Sequence, residues 1–69
     1  MEDDIRKRFA KNVRSLRRAK DYPQDVFADM VGIHRTYLSA IENGRRNPSI
    51  PVVAQFAKAL GVTPGSLLD

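Results

Sequence analysis

Apolar residues along the chain recur at three- and four-residue steps and nowhere alternate over the length of a strand, so the pattern predicts helices throughout. Ile5, Phe9, Val13 and Leu16 form one stripe on a first helix running from about Asp4 to Lys20. Asp21-Tyr22-Pro23 breaks it. A second helix follows from about Gln24 to Met30, with Pro23 at or just before its first turn. Val26, Phe27, Met30 and Val31 are its expected buried side, and Gly32 its left-handed terminator. A third helix runs from His34 or Arg35 to Glu42 or Asn43, with Tyr37, Leu38 and Ile41 inward and Gly44 closing it. Beyond the loop Arg45-Arg46-Asn47-Pro48, Ser49 is a good N-cap for a fourth helix from Ile50 to Leu60, built on Val52, Val53, Phe56, Ala57 and Leu60. Gly61 ends it, and Thr63-Pro64 opens a short fifth helix through Ser66, Leu67 and Leu68. The expectation is a compact all-α domain of five helices occupying residues 1–69.

Sixty-nine residues bury too little surface for more than one small core. The chain has no cysteine, which excludes disulfides and thiolate metal sites. Its one histidine, His34, has no companions for a metal site and reads as a helix-cap or turn residue. Ser39, Ser49, Lys58 and His34 show no spacing that would activate a nucleophile, so no catalytic residue and no cofactor are expected. No apolar run approaches the length of a membrane span, and the acidic start Met1-Glu2-Asp3-Asp4 is unlike a secretory leader. The expected compartment is the cytoplasm.

Charge changes the picture through its distribution. Twelve Lys and Arg against eight Asp and Glu give +4. Residues 1–4 carry −3, whereas residues 5–20 hold Arg6, Lys7, Arg8, Lys11, Arg14, Arg17, Arg18 and Lys20 and no acid. Asp21, Asp25 and Asp29 make residues 21–34 acidic, and Arg35, Arg45 and Arg46 outweigh Glu42 in residues 35–47. Two basic clusters suit either a polyanionic partner, whose counterions are released on binding, or a solvated face that keeps the chain soluble. Charge alone does not separate the two.

The order of the elements does. Two short helices joined only by Val31-Gly32-Ile33 must cross rather than lie antiparallel, with Ala28 letting the backbones approach, which is a helix-turn-helix arrangement. The strings Pro23-Gln24-Asp25-Val26-Phe27-Ala28, Val31-Gly32-Ile33, Tyr37-Leu38-Ser39-Ala40-Ile41-Glu42-Asn43-Gly44 and Arg45-Arg46-Asn47-Pro48-Ser49 resemble the phage-repressor and Cro-like helix-turn-helix family. Arg35-Thr36-Tyr37-Leu38-Ser39, Ile41-Glu42 and Arg46-Asn47 look particularly like the controller proteins of restriction–modification systems. Two positions depart from the family pattern. Asp21 and Pro23 stand where a glycine and then Ser or Thr are usual, and His34 where Ser or Thr commonly starts the recognition helix.

The resemblance implies a sequence-specific regulator of transcription that binds double-stranded DNA as a homodimer on a near-palindromic operator. Arg35, Thr36, Ser39 and Ala40 would face base edges; arginine reaches guanine with two hydrogen bonds, and threonine offers a hydroxyl or a methyl contact. Gln24, Tyr37, Asn43, Arg45, Arg46 and Asn47 would grip the backbone, with the minor groove an alternative for Arg46 and the core for the Tyr37 ring. Arg14 and Arg18 are further backbone candidates. Arg17 and Glu42 would form a partly buried ion pair, and Ile50, Val62, Leu67 and Leu68 the dimer interface. No membrane and no small-molecule effector are expected; control would follow the protein's own concentration. An antitoxin-type regulator and a helical interaction module without DNA binding are the alternatives.

Overall fold

Five helices follow one another in the computed structural model, which describes residues 4–69: α1 (Ile5–Ala19), α2 (Gln24–Val31), α3 (Arg35–Glu42), α4 (Ile50–Leu60) and α5 (Pro64–Leu67). No strand occurs among the described residues. α1 packs on α3, α4 and α5, while α2 packs on α3 and α4.

The helix starts are chemically explicit. Asp4, Ser49 and Thr63 each accept a backbone N–H from the first turn of α1, α4 and α5, and Pro51 and Pro64 occupy first-turn positions where no donor is lost. The Asp4 carboxyl is held below its usual range, chiefly by hydrogen bonds from the Arg6 side chain and the Arg6 backbone N–H. An acid at this place also suits the positive end of the helix dipole; Glu2 and Asp3 lie outside the described residues.

The core is centred on three phenylalanines. Phe9 meets Phe56 edge-on at 5.4 Å between ring centres, and Phe27 meets Phe56 at 5.8 Å. Val13, Val31, Leu38, Ile41, Leu60 and Leu67 close around them. Three residues differ from the sequence expectation. Val26 and Met30 are 46% and 45% exposed, because the buried side of α2 is Phe27, Ala28 and Val31, and an eight-residue helix has room for only one such stripe. Ile5 lies in the first turn of α1, at the rim of a groove rather than in the core, and is 49% exposed.

Two turns set the geometry of the central helix pair. Gly32 ends α2 at φ +86°, where a side chain would be strained. Both it and Ile33 donate to the carbonyl of Ala28, turning the chain into α3 after three residues. Asp21 ends α1 in the same left-handed region at φ 57°, and Tyr22 N–H donates to Arg17 O to complete the turn. The departure from glycine at this position therefore leaves the backbone path of a left-handed helix end intact.

Candidate nucleic-acid interface

The outer side of α3 is built by elimination. Leu38, Ile41 and Glu42 face inward and are buried, which turns Arg35 and Thr36 to solvent and leaves Ser39 and Ala40 half-buried beside them. Gln24, the first residue of α2, lines one shallow depression together with Arg35, Thr36 and Ser39. Two helices thus bring four polar side chains to one patch. An arginine fork, a threonine and serine hydroxyl and a glutamine amide are the group types that read base edges and hold phosphates.

The start of α3 is fixed by His34. Its Nδ1 accepts the Thr36 backbone N–H at 3.2 Å, so the histidine replaces the hydroxyl that usually caps this helix, as the cap reading of the sequence expected. The start of α2 is different. Pro23 has no side-chain acceptor, and the helix has no side-chain cap. Pro23, Gln24 and Asp25 at this helix start border a shallow depression together with Arg35.

The loop beyond α3 keeps Asn43, Arg45, Arg46 and Asn47 exposed. The Arg46 guanidinium lies 5.2 Å from the centre of the Tyr37 ring, a cation–π contact that holds an otherwise mobile cation beside α3. Tyr37 is half-buried and packs against the core, as the core reading of this residue expected.

Behind the patch sits the ion pair. Arg17 is 8% exposed and Glu42 3%, and Arg17 donates Nε to Glu42 Oε2 at 2.7 Å and Nη2 to Oε1 at 3.1 Å. The pairing expected from the sequence is present, as a two-pronged fork that suits a buried guanidinium–carboxylate pair. Arg17 Nη1 also donates to Tyr22 O at 2.7 Å, and Gln24 Nε2 to Glu42 Oε1 at 3.1 Å. Arg14, a candidate for the DNA backbone, donates Nη1 to Glu42 O at 3.4 Å, a carbonyl at the end of α3. These three contacts were not legible in the sequence, since no periodic pattern links residues 14 and 24 to residue 42 or the residue 17 side chain to the residue 22 carbonyl.

The interface candidates divide. Ile50 is 86% exposed and borders an apolar groove with Ile5, Phe9, Val53 and Leu68. Leu67, by contrast, is fully buried in this chain's own core and offers no side-chain surface to a second copy. Asn12 Nδ2 holds its carbonyl at 2.9 Å, fixing α5 against α1. Val62 and Leu68 are half-buried. Among the described residues no helix is long and apolar enough to cross a membrane, and no group of three or more acidic, histidine or cysteine side chains is placed to hold a metal ion.

This geometry matches known proteins closely. The helix-turn-helix family profile covers residues 13–67. The chain is 43% identical to control protein C.BamHI of Bacillus amyloliquefaciens over 70 residues, covering 100% of this chain and 86% of that one. It is 39% identical to control protein C.MunI of Mycoplasma sp over 68 residues, covering 97% and 92%. Among solved structures, the restriction-modification controller protein C.AhdI from Aeromonas hydrophila superposes with a TM-score of 0.86 at 34% identity, over 90% of this chain and 94% of that one. The biofilm master regulator SinR, solved in complex with DNA, superposes at 0.83 with 31% identity over 88% and 98%. The chain belongs to the helix-turn-helix family of DNA-binding transcription regulators. Within that family it is similar to the restriction–modification control proteins.

Proposed function

We propose that this regulator binds a near-palindromic operator as a homodimer, one α3 entering the major groove in each half-site, and that the genes it governs belong to a restriction–modification system. The observation that carries the reading is the outward placement of Arg35, Thr36 and Ser39 in one depression with Gln24. Arg35 reads a guanine, with Thr36, Ser39 and Ala40 completing the contact with base edges. Gln24, Tyr37, Asn43, Arg45, Arg46 and Asn47 hold phosphates on either side and fix the register. Two copies meeting through Ile50, Leu68 and Val62 bury Ile50, the most exposed of the large apolar side chains among the described residues. Such a pair sets its recognition helices about 34 Å apart on one face of the duplex. Binding then follows protein concentration through dimerisation, without an effector. Similarity to proteins named as control proteins supports the choice of target genes.

The test is protection of the DNA upstream of the protein's own gene against nuclease or hydroxyl radical. Two protected half-sites about one helical turn apart are expected. Uniform protection without half-sites, or none, contradicts the proposal.

A further inference from the structure

The Gln24 side chain is already oriented before any DNA arrives. Its Nε2 donates to Glu42 Oε1 at 3.1 Å, and the same oxygen accepts Arg17 Nη2 at 3.1 Å. Arg17 Nη1 meanwhile holds Tyr22 O at 2.7 Å, in the turn that delivers Pro23 and Gln24. One buried pair therefore grips the start of α2 twice, through the backbone before it and through its first side chain. A glutamine amide carries two N–H groups and one oxygen. With one N–H committed to Glu42, the plane of the amide is set, and its remaining N–H and its oxygen are left for a group outside. Gln24 lies in the depression that also holds Arg35, Thr36 and Ser39.

We infer that Glu42 is a positioning residue for DNA: its carboxylate locks the Gln24 amide so that the second N–H meets a backbone phosphate. The inference rests on the phosphate-contact reading of Gln24. A free glutamine gives up its rotational freedom when it binds, whereas one held by a buried carboxylate has already done so on folding. Glu42 does not repel the phosphate, because Arg17 offsets its charge through two short hydrogen bonds. Glu42 thus acts through its contact with Gln24 rather than through its field.

The experiment is a double-mutant cycle of Gln24→Ala and Glu42→Gln, read as affinity for a mixed-sequence duplex of about 24 base pairs at about 50 mM salt. Phosphate contacts are independent of sequence, so no operator is required. Glu42→Gln is expected to weaken binding about fivefold when Gln24 is present and less than about twofold when it is Ala. An equal loss in both backgrounds means that Glu42 acts only on the fold, and overturns the inference while leaving the Gln24 contact standing. Full affinity in Gln24→Ala removes the phosphate contact itself, and the inference with it. A second readout needs no substitution: of the two Gln24 side-chain amide protons of the native protein, the one not bonded to Glu42 should shift the more by NMR as duplex is added. Equal shifts of the two protons, or two protons unmoved by DNA, likewise overturn it.

Discussion

At the scale of single residues, two positions decide how α2 and α3 are held. Asp21 adopts φ 57° without the freedom of glycine, a conformation that costs a side-chain-bearing residue about 1–2 kcal/mol. Asp21→Gly relieves that cost but loosens the unfolded chain, so a net gain of about 0.5–1 kcal/mol is expected, seen as a rise of a few degrees in Tm. Glu42 is the opposite case. Glu42→Ala strands Arg17 in the interior and is expected to cost about 3–5 kcal/mol, comparable to the whole stability of so small a domain, with thermal unfolding as the check. A Tm within a degree or two of the parent would show the pair to be unimportant. Arg17 and Glu42 were legible as partners through their places in the family motif. The Gln24 bond to Glu42 was not, because hydrogen bonds between residues far apart in sequence depend on the packing of three helices and leave no periodic trace.

At the scale of elements, the helix boundaries were legible because they are written in side-chain chemistry. Ser49, Thr63, Gly32 and Gly61 stand at caps where the backbone demands an acceptor or a positive φ. Which residues a short helix buries was less legible. Over the eight residues of α2, Val26 and Met30 fit a buried stripe as well as Phe27 and Val31 do, and only the position of α3 and α4 selects between them. The outward side of α3 followed more securely, since Leu38 and Ile41 leave it no other orientation. The loop that follows α3 supplies two exposed cations, Arg45 and Arg46, which the proposed function assigns to phosphates. Arg45→Ala should therefore weaken binding to all sequences alike and lower the slope of log affinity against log salt by about one, measured by titration at several salt concentrations. A loss confined to one sequence would assign Arg45 to base reading instead.

At the scale of the molecule, the five-helix fold gathers Gln24, Arg35, Thr36 and Ser39 in one patch and, among the described residues, leaves Ile50 more exposed than Ile5, Val26 or Met30. Ile50 at 86% exposure beside the groove of Ile5, Phe9, Val53 and Leu68 is a poor surface for an isolated monomer. Ile50→Asp is expected to shift the mass measured by sedimentation to that of a single chain and to abolish cooperative operator binding, with little change in helix content. A dimer of unchanged strength would place the interface elsewhere. Leu67 shows why sequence alone misplaces such surfaces: a leucine near the end of a chain serves an interface or a core equally well, and here α5 folds back onto α1 and takes it inside. The central claim, that the outward face of α3 reads base pairs, is tested most directly by selecting bound duplexes from a randomised pool with the parent and with Arg35→Ala. The parent should enrich a two-fold-related motif. Arg35→Ala should bind that motif about 1–3 kcal/mol more weakly and lose discrimination at one base pair in each half-site. Enrichment of the same motif with undiminished preference at every position would contradict the account.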